Sequence, residues 1–89
     1  MLLLPSTLTV REARDTVRML AQALEREKAG PVAVDASQLA QFDSVALAVL
    51  LECRRLAEAF GRGFEVRGAP PKLAALARLY GIESVLMPA

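Results

Sequence analysis

The chain has 89 residues, of which 54% are hydrophobic and only 4% aromatic, so it predicts a single small domain (residues 1–89) with an aliphatic core. Its 11 basic and 10 acidic residues nearly cancel, which gives no electrostatic reason to expect nucleic-acid binding. Histidine is absent and Cys53 is the one cysteine, which excludes an internal disulfide, disfavours a zinc site and fits a reducing compartment.

The first part of the chain predicts a short strand followed by a helix. The apolar residues 2–4 end at Pro5, which favours a strand at the edge of a sheet. "TVRE" is a capping-box pattern, in which the Thr9 hydroxyl accepts the amide of residue 12 and Glu12 reaches back. The helix that follows should end near Gly30. Its apolar residues recur at the spacing of one buried face: Ala13, Val17, Leu20, Ala21 and Leu24.

A buried strand and a second helix are predicted next. Residues 32–35 are short and nearly all apolar, as strands covered on both faces tend to be. Residues 38–43 are expected to form a connecting loop. The second helix should run from about Ser44 to Phe60, where glycines stop it.

The last part of the chain predicts a strand, a third helix and a final short element. Residues 64–68 alternate between apolar and polar, which is typical of a strand. Pro71 suits the first turn of a helix that stops at Gly81. This helix should bury Leu73, Leu76, Ala77 and Tyr80. Residues 82–88 are expected to form a strand or an extended tail. The alternation of strands and helices predicts a mainly parallel sheet with helices packed against it.

The second helix carries an unusual outer face. Stepping about 100° per residue gathers a core face of Ala46, Val49, Leu50, Cys53, Leu56, Ala57 and Phe60. On the opposite side, Leu47, Ala48 and Leu51 follow Ser44 where polar residues would be expected. One hypothesis is that Ser44 or Asp43 is an ordinary N-cap and that the rest of the domain covers this patch. The other is that the patch receives a partner, with Ser44 inside the contact.

Residues 32–86 resemble the STAS domain, the family named for sulfate transporters and anti-sigma factor antagonists. The resemblance is carried by a strand ending in Asp35-x-Ser37, a loop into Asp43-Ser44, a helix rich in small residues, a strand that ends at glycine, and a short helix before Gly-Ile. It implies a STAS-like α/β domain with a short, mainly parallel sheet. Family members usually carry another strand before the one expected at residues 2–4, so the sheet is expected to lack the family's first strand.

"ARLYGIESVLMP" near the end of the chain is similar to the STAS subunit of the bacterial Mla phospholipid ABC transporter. That likeness implies a non-catalytic cytoplasmic subunit, peripheral at the inner membrane, that binds the transporter's ATPase in a complex with permease and lipid-binding subunits. The complex moves phospholipids between the inner and outer membranes and maintains outer-membrane lipid asymmetry. The alternative is an anti-sigma factor antagonist regulated by phosphorylation of Ser44, which matches the family's phosphorylated position. The glycine that usually follows two residues later is Ala46 here, which disfavours regulated phosphorylation.

An enzyme is the least favoured class, because the chain has no histidine and no glycine-rich phosphate loop. Asp35 and Asp43 could be imagined as paired carboxylates, but aspartates at the end of a strand or the start of a helix are typically caps. We expect no catalytic residue, cofactor, metal or membrane span; the longest apolar run, residues 45–51, is far below the roughly 20 residues that a span needs. The expected partner-binding residues are Asp43, Ser44, Leu47, Ala48, Leu51 and Arg55.

Overall fold

The computed structural model describes residues 2–26 and 30–87, and within them it shows a small α/β fold with short parallel strands and four helices. The strands are β1 (Leu2–Leu3), β2 (Thr7–Leu8), β3 (Val32–Asp35), β4 (Gln41–Phe42) and β5 (Phe64–Arg67). Three of them form a parallel sheet in the order β1-β3-β5, and β2 and β4 form a separate parallel pair. The predicted parallel sheet is confirmed, and β1 lies at its edge as expected.

The register of the sheet aligns three buried side chains. Leu2 pairs with Val34, and Val34 pairs with Val66 on the other side. All three side chains are at most 6% exposed. The central strand β3 also buries Val32, but Ala33 and Asp35 on its other face are only half-buried, so the expected cover on both faces is incomplete.

The helices are α1 (Val10–Arg26), α2 (Val45–Ala59), α3 (Pro71–Leu79) and α4 (Glu83–Leu86). Along α1, Leu20 and Leu24 are buried and the helix packs against α2. The end of this helix was predicted near Gly30; the residues just before it, 27–29, lie outside the described part of the chain. The predicted bounds of α2 are confirmed, with Ser44 and Phe60 as its flanking residues.

The capping box at the start of α1 forms, but with one bond different from the prediction. The Glu12 carboxylate reaches back and accepts the Thr9 backbone amide at 2.8 Å, as expected. The Thr9 hydroxyl instead donates to the same carboxylate at 2.7 Å, so it is not held by the amide of residue 12. That amide donates to the backbone carbonyl of Thr9. In this capping box, Oε1 of Glu12 therefore accepts both hydrogen bonds from Thr9.

Two segments differ from the expectation. The predicted loop at residues 38–43 contains β4, because the amides of Ala40 and Gln41 both donate to the Ser6 carbonyl and bring this segment beside β2. The predicted strand or tail at residues 82–88 contains the helix α4 over Glu83–Leu86. This turn forms because the Leu86 side chain is buried in the core, while the last predicted residue, Pro88, lies outside the described residues.

Two aromatic residues expected in the core are exposed. Phe60 is 57% exposed and Tyr80 is 60% exposed. Each is the residue that follows the last turn of its helix, so its side chain leaves the buried face where the backbone turns away. The core is accordingly aliphatic, with Leu50, Leu73 and Cys53 each fully buried. Within the described ranges, no helix combines the length and the apolar character that crossing a bilayer requires.

Candidate functional site

The start of α2 is capped by Asp43. Its Oδ1 atom accepts the backbone amide of Val45 at 2.9 Å, and its carbonyl accepts the amide of Ala46. Ser44 has helical backbone angles (φ −62°, ψ −17°), so it lies inside the first turn. Across residues 2–26 and 30–87, the Ser44 side chain makes no capping bond, and the residue is exposed. Of the two predicted caps, Asp43 is the one that acts, and the Ser44 hydroxyl faces outward.

Ser44 lies at one end of a shallow apolar depression of about 360 Å³. Three of its lining residues come from α2, one directly precedes that helix, and two come from the segment after α3: Leu47, Ala48 and Leu51; Ser44; Tyr80 and Ile82. The structure therefore brings together four of the six residues expected to bind a partner. We call this surface the Ser44 depression.

Leu47 does not point outward as the helical projection indicated. The side chain is only 3% exposed, whereas Leu51 is 36% exposed and Ala48 is also open to solvent. The difference arises because α4 packs against α2, which the projection of an isolated helix does not include. Leu47 thus forms the floor of the depression, and Leu51 and Ala48 form its accessible wall.

Tyr80 and Ile82 complete the depression through the turn that follows α3. The amide of Tyr80 donates to the Leu76 carbonyl, and that of Ile82 donates to the Ala77 carbonyl at 2.9 Å. Gly81 between them has a φ of +72°, which folds the chain back toward α2. The turn holds the Tyr80 ring exposed beside the half-buried Ile82.

These two residues were not among the predicted partner-binding residues. Periodicity assigned Tyr80 to the buried face of α3, although the glycine that follows it marks the end of that helix. A tyrosine at a helix end, with an apolar ring and a polar hydroxyl, is the type of residue that interfaces favour. The tyrosine directly before a glycine stop was therefore the feature of the sequence that could have predicted Tyr80 as a surface contact residue.

Arg55 lies on the same stripe of α2 as Ser44 and Leu51, but it does not line the depression. Its guanidinium makes two hydrogen bonds to Glu52, at 2.6 and 2.8 Å. The first cause of the lowered pKa of Glu52 is this hydrogen bonding with Arg55. Arg55 is therefore exposed near the Ser44 depression, but its guanidinium is paired with Glu52 of the same helix.

Asp35 and Asp43 each serve a turn, as aspartates in such places typically do. Asp35 accepts the Ser37 amide through Oδ1 at 2.9 Å, two residues along the chain, as Asp43 does with Val45. Hydrogen bonds from the Ser37 side chain and then from its backbone lower the pKa of Asp35. Both carboxylates therefore have structural roles at the ends of their elements.

The comparison with protein families gives one clear result. A family model described as "Mlab, STAS domain" matches residues 1–88, which is nearly the whole chain. No curated protein matches the sequence.

Proposed function

Because the chain belongs to the STAS domain family, we propose that it is an accessory subunit that binds the ATPase of an ABC transporter. STAS domains are generally non-catalytic, which fits a supporting role. The transporter in this proposal is the Mla system, which moves phospholipids between the inner and outer membranes and maintains lipid asymmetry. The support for this finer assignment is the family description, which carries the Mla name, and the similarity of the segment around Tyr80.

The observation that carries the proposal is the Ser44 depression. It presents an exposed hydroxyl beside an apolar wall, in a concave surface to which α2 and the turn after α3 both contribute. Apolar groups collected on a charged surface commonly mark protein contacts. Tyr80 adds an exposed ring of the kind that anchors interfaces. In this proposal the ATPase covers the depression and Ser44 lies within the contact, with Asp43 and Arg55 at its margin.

The second candidate is an anti-sigma factor antagonist that is switched by phosphorylation of Ser44. One observation favours it: the Ser44 side chain is exposed and makes no capping bond in the described part of the chain, so a kinase could reach its hydroxyl. A phosphate there would add about two negative charges next to Asp43 and would act mainly by repulsion. Against this candidate, the position two residues after Ser44, where the family usually has glycine, is the fully buried Ala46.

The test is binding of the purified chain to the cognate ATPase, with two matched variants. Leu51→Glu places a charge on the accessible wall, and we expect affinity to fall by roughly tenfold or more, because an unpaired charge would be desolvated in the contact. Met19→Glu is the control, since Met19 is 46% exposed on α1 and does not line the depression. If Leu51→Glu binds the ATPase as tightly as Met19→Glu and the unchanged chain, the contact lies elsewhere on the surface.

A pull-down from native membranes separates the two candidate functions. Recovery of an ABC ATPase with its permease supports the transporter subunit. Recovery of a serine kinase and a sigma-factor regulator, without the ATPase, would replace the first proposal by the second.

A further inference from the structure

A second apolar groove lies between α1 and α2, next to the Ser44 depression. It is shallow and open, with a volume of about 320 Å³, and has three lining residues from each helix: Ala13, Arg14, Val17, Val45, Ala48 and Val49. Ala48 also lines the Ser44 depression. The two concave surfaces therefore adjoin along α2, and a partner seated on one of them meets the edge of the other.

Arg14 is the one charged residue among those that line this groove. The residue is exposed. In the part of the chain that the structure describes, its guanidinium has no carboxylate partner. In the same ranges Arg11 also has no carboxylate partner, but it does not line this groove. Five other arginines do pair with carboxylates: Arg18, Arg54, Arg55, Arg67 and Arg78. An unpaired guanidinium thus stands beside an apolar groove that is otherwise built of alanine and valine.

The guanidinium of Arg14 and the apolar groove beside it indicate which groups a partner would place against this surface. The planar guanidinium presents paired donors that match a carboxylate, and it is less strongly hydrated than an ammonium group. A second arginine or a lysine opposite Arg14 would be repelled. Ala13 and Ala48 carry small side chains, so an apolar side chain of a partner can lie in the open groove beside Val17 and Val49.

We propose that the ATPase contact continues from the Ser44 depression into this groove, where a partner carboxylate pairs with Arg14 and a neighbouring apolar side chain enters between α1 and α2. This inference rests on the proposed function and specifies the partner's contacting segment. A charge pair at the rim of an interface acts chiefly on the association rate and on the salt dependence of binding. The pairing therefore contributes to recognition, while the apolar surface provides burial.

The first experiment measures the rate and affinity of binding to the purified cognate ATPase at low and high salt. We expect Arg14→Glu to weaken binding roughly tenfold at low salt, and Arg14→Gln to weaken it less. Both losses should shrink at high salt, because exposed charges are then screened. Lys72→Glu is the charge-matched control, since Lys72 is exposed near the start of α3 and lines neither surface. It should bind like the unchanged chain.

A second experiment locates the carboxylate. Arg14→Lys supplies an amine, and a carbodiimide joins this amine to an adjacent carboxylate as an amide while the reagent takes up the water released. Mass spectrometry of the complex should show a cross-link from position 14 to an acidic residue of the ATPase. The native Lys72 in the same sample should give none.

These experiments distinguish failure of this inference from failure of the proposed function. If the unchanged chain binds the ATPase while Arg14→Glu binds as tightly as Lys72→Glu, this inference fails and the proposed function stands. If the unchanged chain does not bind the ATPase, both fail. Should Arg14→Glu not fold, Arg14→Gln and the cross-link decide the matter, and a normal association rate with no cross-link from position 14 overturns the inference.

Discussion

The carboxylate of Asp43 accepts the backbone amide of Val45 at 2.9 Å and so caps α2 directly beside a serine whose own side chain makes no capping bond in the described residues. One residue stabilises the helix, and its neighbour faces the depression. Capping of the helix and lining of the depression therefore fall to adjacent residues.

Asp43→Ala should therefore lower the free energy of unfolding by about 1 kcal/mol, the usual effect of removing a cap. Ser44→Ala should change it by less than about 0.5 kcal/mol, as surface substitutions usually do. Urea unfolding followed by circular dichroism measures both. A larger loss for Ser44→Ala than for Asp43→Ala would mean that the serine is the cap.

Leu47 and Leu51 should respond oppositely to a charge, although both were expected on the outer face. Leu47 is 3% exposed, so Leu47→Glu should cost several kcal/mol of stability through burial of an unpaired charge. Leu51 is 36% exposed, so Leu51→Glu should leave the free domain folded. Thermal unfolding of the two variants provides the measurement, with Leu47→Met as a volume-conserving control. An unfolded Leu51→Glu variant would show that the wall of the depression is part of the core.

The contrast between these leucines shows what the sequence could and could not predict. Helix and strand positions near Ser44 and Val34 followed from local signals such as periodicity and glycine stops, and these agree with the structure. The burial of Leu47 and the exposure of Tyr80 depend on α4 and on the turn before it, which lie some 30 residues beyond Leu47. Tertiary contacts of this kind leave no mark on the periodicity of a single helix.

Cys53 should react slowly with thiol reagents in the native protein. The residue is fully buried, and burial, with a smaller contribution from Glu52, raises the pKa of its thiol to about 12. Little thiolate is then present at neutral pH, and the thiolate is the reactive form. Labelling kinetics with and without denaturant test this, and fast labelling of the native protein would place the thiol outside the core.

Glu12 should make the stability of the domain depend on pH. Hydrogen bonds from the Thr9 hydroxyl and then from the Thr9 amide lower the pKa of Glu12 below its ordinary value of 4.5. Because the folded-state pKa is the lower one, the contribution is present above the ordinary pKa and is lost as the pH falls through the folded value. Glu12→Gln should be less stable than the unchanged chain at neutral pH, and the difference should shrink in acid. A difference in stability that does not vary with pH would contradict this assignment.

Gly68 should tolerate substitution less well than Gly61. Both have a positive φ, +66° and +71°, so alanine is strained at either position. A Cβ atom on Gly68 would in addition lie 3.1 Å from the Cβ of Ser37, whereas one on Gly61 would meet nothing within 4 Å. Gly68→Ala should thus lower the unfolding midpoint in urea more than Gly61→Ala does. Equal effects of the two substitutions would show that the Ser37 turn moves aside.

The parallel register of the sheet sets the order in which the domain can assemble. Val34 must find Leu2, about 30 residues earlier, and Val66, about 30 residues later, and a helix separates the partners in each case. Closing segments of this length costs chain entropy before any strand hydrogen bond forms. We therefore expect the strands to join after α1 and α2 have shortened the distances between them. On this expectation the sheet is completed late in folding, around the same helices that line the Ser44 depression and its neighbouring groove.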